Sequence, residues 1–319
     1  MPDQTSLVRP LAVVAFGGNA LLEPQDRGTV EEQRHRAEEA AGWLAEFARR
    51  DHDLVIVHGN GPQVGQVLIQ MEEAATKIPP GTLDVAVAET EGSMGFLLET
   101  ALRNRFAREG VRREVVTMMS LVVVDRDDPG FQNPTKPVGP FFPRFRAEML
   151  ERDHGWRMSE DSGRGWRKVV ASPRPLEVLG VPALRDLLAR GHVVIAGGGG
   201  GVPVVRDDGT VRGVEAVIDK DHTAALLARE LQADLLIILT GVEQVAKNFG
   251  KKNQTPLPEL TAREARRLLA QGQFPPGSMG PKIEASVDFV EATNHAAVIT
   301  DIAHLAEALE HRTGTWIHP

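Results

Sequence analysis

Leu11-Ala12-Val13-Val14-Ala15-Phe16-Gly17-Gly18-Asn19-Ala20 is the stretch that decides the fold. A continuous apolar run of this length suits a β-strand covered on both faces, and the two glycines at its carboxyl end leave the backbone bare. Bare amides there accept an anion. A helix opening close to Asn19 adds unpaired N–H groups and the positive end of its dipole. One Gly-Gly pair taken alone reads first as a tight strand-to-helix turn. Repetition along the chain shifts the reading toward a binding rim.

Asp53-Leu54-Val55-Ile56-Val57 reads as a second buried strand and runs into His58-Gly59-Asn60-Gly61-Pro62-Gln63-Val64-Gly65 ahead of another helix. The strand His192 to Ala196 runs into five consecutive glycines, Gly197 to Gly201, and Leu235 to Leu239 and Ala296 to Thr300 are further apolar strands. Helical stretches separate them. They are expected over Arg34 to Arg50, with Ala37, Ala40, Ala41, Leu44 and Phe47 on one face, and over Glu91 to Arg105, Val181 to Arg190, Thr223 to Leu231 and Thr261 to Ala270. One more runs through Phe289, and a last one covers Leu305 to Leu309. Val202 to Val217 reads as a hairpin turning at Asp207-Asp208-Gly209. Val115-Val116-Thr117 with Leu121-Val122-Val123-Val124 reads as one long strand or a strand with an irregular break. The alternation implies an α/β fold: a three-layer α/β/α arrangement around a mainly parallel open sheet, with ligands beyond the carboxyl ends of its strands.

Residues 125–175 depart from this rhythm. They are rich in Pro, Gly, Arg and Asp, with Trp156 and Trp166 as apolar anchors and a helical stretch from Phe145 to Leu150. So long an interruption is expected to be a small protruding subdomain or lid within a single domain spanning residues 1–319. A disordered insert is the competing reading.

A length of 319 residues permits a substantial core. A formal net charge of -8 gives no broad basic field, so nucleic acid is not an expected partner. With 0 Cys there are no disulfides or thiolate metal sites, which fits a reducing compartment and a cytoplasmic protein. No apolar run approaches a membrane span, and the first ten residues lack a signal peptide's apolar core. No membrane association is expected.

Several glycine turns at one rim, joined by lysines in loops, point to a phosphorylated ligand. Gly59-x-Gly61-x-x-x-Gly65 has one residue too many for a dinucleotide fingerprint, and no glycine loop ends in the Gly-Lys-Ser/Thr of a P-loop. Ser93 and Ser278 lack the glycine two residues earlier that a hydrolase elbow needs. His58, His192 and His222 have no metal-ligand spacing and read as structural or surface residues; no metal-ligating side chains are assigned. About eight of the 36 basic residues are lysine, and Lys136, Lys220 and Lys282 each sit beside a loop or a helix start. An ammonium supplies the compact, repositionable charge that a transferring phosphoryl group needs. Solvated surface lysine is the alternative for any one of them. It is the reading kept for Lys77, Lys247, Lys251 and Lys252. Asp219 and Asp221 flank Lys220 and are placed to orient lysines, to bind magnesium through water, or to cap the next helix, with Asp221 read first as the cap.

Phe16-Gly17-Gly18-Asn19-Ala20-Leu21, the His58-to-Gly65 stretch, Asn133-Pro134-Thr135-Lys136-Pro137-Val138-Gly139-Pro140-Phe141, Gly213 to Asp221 and Gly277-Ser278-Met279-Gly280-Pro281-Lys282-Ile283-Glu284-Ala285 occur in this order along the chain. Together they resemble the carbamate kinases, within the amino acid kinase fold. The resemblance implies reversible phosphoryl transfer between ATP and carbamate, giving ADP and carbamoyl phosphate, with Mg2+ accompanying the nucleotide. It also implies a homodimer and a place in arginine metabolism. Many amino acid kinases carry a lysine two residues before the first Gly-Gly pair, where this chain has Ala15. In the carbamate kinases a lysine of the inserted subdomain takes that place, and the match is Lys136. By the same resemblance, Lys220 and Lys282 neutralise phosphates and Asp221 holds the lysines. Gly17, Gly18, Asn19, Gly59, Asn60 and Gly61 line the seat of the small substrate and the transferred group, and Thr240, Gly241, Val242 and Met279 face the nucleotide.

The chain departs from the pattern at Gly241, where many relatives of the fold place aspartate, at Ala246, where an aromatic is usual, and at Glu91, where a glutamine is expected. A kinase for another small acid, such as acetylglutamate, and a non-catalytic nucleotide-binding protein are the alternative readings. Ala15 and the Pro-Thr-Lys-Pro insert speak against the first. Retention of all three lysines speaks against the second.

Overall fold

The computed structural model describes residues 9–17, 28–50, 52–161, 163–275 and 277–319. The chain opens with strand β1 (Leu11–Phe16), helix α1 (Val30–Arg49), β2 (Asp53–His58), α2 (Gly61–Ala74) and the long α3 (Leu83–Glu109). Next come β3 (Val115–Thr117), β4 (Leu121–Val124), the single turn α4 (Pro129–Gln132), β5 (Lys136–Phe142), α5 (Arg144–His154), β6 (Met158–Glu160), β7 (Trp166–Val170) and β8 (Pro175–Val178). They are followed by α6 (Val181–Ala189), β9 (Val193–Ile195), β10 (Val202–Asp207), β11 (Thr210–Gly213), α7 (Lys220–Leu231) and β12 (Leu235–Thr240). The chain finishes with β13 (Ala246–Lys247), β14 (Thr255–Pro256), β15 (Glu259–Thr261), α8 (Ala262–Ala270), α9 (Met279–Thr293), β16 (Ala296–Asp301), α10 (Leu305–Leu309) and β17 (Thr315–His318).

Among the described residues the main sheet has eight strands in the order β15-β17-β16-β12-β1-β2-β9-β3. β1 lies at its centre, parallel to β12 on one side and β2 on the other, in a register that aligns Phe16 with both Leu239 and His58. The alternation of side chains along β1 sorts the core into two layers. Val13 and Ala15 pack with Leu184 of α6, Leu227 of α7, Leu268 of α8 and Ile283 and Phe289 of α9. Ala12, Val14 and Phe16 pack on the opposite face with Leu44 and Phe47 of α1, Leu98 and Leu102 of α3 and Leu305 of α10. This is the expected α/β/α architecture. A continuous apolar run belongs to a strand buried on both faces, and β1 is such a strand.

The helices start and stop where local chemistry dictates. Thr29 caps α1 and Thr261 caps α8, each in a reciprocal box with the glutamate three residues on, worth about 1 kcal/mol apiece. α1 begins earlier than the periodicity suggests, and α3 extends well beyond Glu91 to Arg105 at both ends. The hairpin of β10 and β11 turns at Asp208-Gly209, both with positive φ. Of the two readings of the 115–124 region, the broken strand is correct. β3 is the edge of the main sheet, whereas β4 lies between β10 and β8 in a second sheet of order β11-β10-β4-β8. Met118, Met119 and Ser120 make the crossing. β17 is an addition that the pattern did not reveal. It runs antiparallel to β16 and parallel to β15.

Residues 136–170 carry a three-stranded antiparallel sheet, β5-β7-β6, with α5 packed on it through Ala147 and Leu150 against Met158, Trp156 and Trp166. β5 reaches the rest of the fold along α2. A Cβ on Gly65 would lie 1.8 Å from the Gly139 Cα, so the two backbones touch with no room for a side chain.

Candidate active site

The parallel strands β1, β2, β12, β16 and β9 end at one rim, so Gly17, His58 to Asn60, Thr240 and Gly197 emerge on the same edge of the sheet. Such a rim is where an open α/β sheet offers ligands unpaired backbone groups. Gly18 and Asn19 lie outside the described residues. Gly59 is tied back to β1 by its amide on the Phe16 carbonyl at 2.9 Å, and Gly61 opens α2 with free space around its Cα.

At the start of α7 two aspartates gather three lysines from distant parts of the chain. Asp219 precedes the helix and caps it, its Oδ1 accepting the Asp221 amide at 2.9 Å, while its Oδ2 receives the Lys136 ammonium from the first residue of β5. Asp221 receives the Lys220 ammonium on Oδ1 and the Lys282 ammonium on Oδ2, the latter at 2.8 Å from the first turn of α9. The expected capping role of Asp221 therefore belongs to Asp219. A cap residue must sit outside the helix with its side chain reaching back to the first-turn amides, and Asp221 is already inside.

Three ammonium groups against two carboxylates leave a formal excess of one positive charge in a mostly buried place. Lys220 is 8% exposed and Asp221 2%. Burial pushes the Lys220 ammonium below its ordinary pKa against the pull of Asp221. Burial also works to raise both carboxyls, but lysine charge prevails: Lys136 foremost for Asp219, and Lys220 with Lys282 for Asp221, hold them below the usual range. Lys282, desolvated too, is held above its ordinary value by Asp221 and Asp219. Asp219, Asp221, Lys220 and Lys282 thus each offset part of the burial of another.

The five-glycine segment lies beside this cluster as a tight 3-10 turn at Gly198–Gly200. Thr223, in the first turn of α7, donates from Oγ1 to the Gly200 carbonyl at 2.8 Å, and Ser120 Oγ accepts the Gly197 amide at 2.7 Å. On its other side stand His58 and Asn60, against which a Cβ on Gly198 or Gly199 would lie at 2.4 and 2.2 Å. Asn60 is itself buried and donates to Thr90 Oγ1 at 2.9 Å, so its side chain is a wall of the rim.

Of the positions expected to face the nucleotide, Thr240 ends β12 in register with Asp301, Gly241 is exposed beyond it, and Val242 follows. Met279 opens α9, which packs on β12. Among the described residues no hydrogen bond or ion pair joins these positions to the lysine cluster. Ser120, Thr90 and Thr223 are site residues that sequence reasoning missed. For Ser120 and Thr223 the only signal is that five consecutive glycine amides and carbonyls, once buried, require partners, whereas Thr90, which accepts from the Asn60 side chain, left none.

A model of the amino acid kinase family matches residues 10–301. The chain belongs to the amino acid kinase family. Within that family it is 44% identical over 309 residues to a carbamate kinase of Pyrococcus furiosus, covering 96% of this chain and 98% of that one. Among solved structures of the family, a carbamate kinase from Giardia lamblia bound to citric acid superposes with a TM-score of 0.93 at 37% identity, covering 98% of this chain and 99% of that one. The Giardia lamblia carbamate kinase bound to AMP-PNP gives a TM-score of 0.89 at 37% identity, with the same coverage. The amino acid kinase architecture thus extends over essentially the whole chain, including residues 136–170.

Proposed function

We propose that this chain is a carbamate kinase, transferring the γ-phosphoryl group of ATP to carbamate and, in reverse, making ATP from carbamoyl phosphate and ADP. The observation that carries the reading is the meeting of Lys136, Lys220 and Lys282 on Asp219 and Asp221 beside a glycine-lined rim. A carbamate oxygen is already anionic, so its attack on phosphorus needs no side chain to remove a proton. The O–P bond to carbamate forms as the bond from phosphorus to the ADP oxygen breaks, and negative charge spreads over the transferring oxygens. What the protein must then supply is alignment and positive charge, and the cluster has both.

In this reading Lys136, Lys220 and Lys282 neutralise the phosphates, and Asp221 fixes two of the ammonium groups. The rim at Gly17, Gly59, Asn60 and Gly61 seats the small substrate, and Thr240, Gly241, Val242 and Met279 border the nucleotide. The AMP-PNP complex of the Giardia lamblia relative supports a nucleotide site in the same fold. Asp221 spends both oxygens on ammonium groups, and Asp219 spends one on Lys136 and the other on the Asp221 amide, so their side chains do not fit a magnesium held by the protein itself. Magnesium belongs with the nucleotide as part of the substrate, on phosphate oxygens. Residues 125–175 act as a lid within one domain spanning 1–319, with Lys136 carried on it. We extend the reading, on the family resemblance, to a cytoplasmic homodimer in arginine breakdown.

The test is ATP formation from ADP and carbamoyl phosphate by the purified protein, beside acetylglutamyl phosphate as the alternative donor. ATP from carbamoyl phosphate alone is the expected result. ATP from acetylglutamyl phosphate instead, or nucleotide binding without turnover of either, overturns the assignment.

A further inference from the structure

Glu91 sits within α3 at 2% exposure, where a carboxylate is costly. Its Oε1 accepts two backbone amides, from Ser120 and from Gly198, each at 3.1 Å. Its Oε2 is buried and has no hydrogen-bond partner among the described residues. Ser120 then holds the Gly197 amide, and Gly200 is held by Thr223 of α7. A continuous line of contacts therefore runs from Glu91 through the glycine turn to the helix that begins with Lys220 and Asp221.

We propose that Glu91 is a positioning residue for phosphoryl transfer: by holding the Ser120 and Gly198 amides on one oxygen, it fixes the glycine turn against which α7 sets Lys220 and Asp221. The proposal rests on the kinase reading and adds to it a control by a group that touches neither substrate. Burial raises the Glu91 carboxyl to about 8, so at neutral pH the side chain is the uncharged acid, with Oε1 free to accept both amides. Above that pH the unpartnered Oε2 shares a charge with no counter-ion, and the turn loosens.

The groups facing this carboxyl do not supply one. From β2 comes His58, whose ring lies against Gly198 and which burial pushes down to about 4, so it is neutral. From α7 comes Lys220, whose charge reaches His58 and which is already bound to Asp221. The Ser120 segment and the glycine turn carry no titratable side chain. Glutamine, the residue the carbamate kinase pattern places here, offers the same acceptor oxygen on a group that does not titrate.

The experiment measures kcat and KM for ATP formation from carbamoyl phosphate and ADP across alkaline pH for the native protein, Glu91→Gln and Glu91→Leu. Native kcat is expected to fall through an apparent pKa near 8, and Glu91→Gln to keep native turnover at neutral pH and lose that fall. Glu91→Leu is expected to lose about 10-fold or more in kcat with KM for ADP little changed. Superimposable pH profiles for the native protein and Glu91→Gln overturn the proposal, whether or not the leucine variant folds. Absence of any ATP from the native protein refutes the kinase reading instead, so the two failures are distinct.

Discussion

Lys282 and Asp221, 61 residues apart in the chain, meet at 2.8 Å, and the other oxygen of the same carboxylate holds Lys220. One aspartate thus restrains two ammonium groups that would otherwise repel each other in a site sheltered from water. Removing it leaves buried Lys220 and partly buried Lys282 without the carboxylate that each bonds. Asp221→Asn is expected to cost about 3 kcal/mol or more in urea unfolding and to lower turnover at least about 100-fold. A stable variant with near-native turnover would contradict the role given to Asp221.

Lys136 behaves differently because its side chain is 28% exposed and its partner Asp219 15%. Solvent screens part of that pair, so Lys136→Ala is expected to change stability by no more than about 1 kcal/mol. Turnover in both directions should nonetheless fall about 100-fold or more, since a charge on the transferring oxygens is lost. Native circular dichroism with native activity would remove Lys136 from the mechanism.

The contact between Gly65 and Gly139 sets how closely β5 lies on α2. A methyl group at residue 65 would collide with the backbone of residue 139 at 1.8 Å, and backbone has no alternative rotamer to adopt. Gly65→Ala should therefore push residues 136–170 outward and separate Lys136 from Asp219. Turnover is expected to fall about 10-fold or more. The main-sheet core should unfold at nearly the native urea concentration, and loss of both in equal measure would show that the contact serves folding alone.

Titration of Glu91 also registers in stability. Its carboxyl goes from an ordinary 4.5 in the unfolded chain to about 8 in the fold, so between those pH values the native state holds a proton that the unfolded state has lost. Stability contributed by the protonated group is full below 4.5 and is lost as pH rises through 8. The difference in unfolding free energy between the native protein and Glu91→Gln should fall by about 1.4 kcal/mol per pH unit inside that window and level off above it. His58 acts with the opposite sign. Its pKa drops from 6.5 to about 4, so its contribution is present above 6.5 and is lost as pH falls toward 4. A difference that stays flat with pH would mean that Glu91 is ionised in the fold.

The sheet was legible because β1, β2, β9, β12 and β16 each carry an unbroken apolar run through their middle, as a strand with both faces covered requires. The three lysines stood out in a chain that otherwise prefers arginine, and the structure brings all three together. Partnerships across the chain left no local mark. Nothing around Asp219 announces that it receives Lys136 from 83 residues away, and nothing around Ser120 announces that its hydroxyl accepts a glycine amide from 77 residues away. β17 was missed for a related reason: four residues are too few to show a period, and its place beside β16 depends on pairing alone.

The turn at residues 197–201 has no side chains of its own, and it is enclosed on every side. At four of its five positions a new Cβ would come within 2.4 Å of His58, Asn60, Ile218 or Val122, and at Gly197 within 3.1 Å of Thr223. In a saturation library selected for function, these five adjacent codons should form an unbroken gap in which hardly any replacement survives. Natural variation in the turn's rigidity must then be written elsewhere, in the residues that grip it, with position 91 the first place to look.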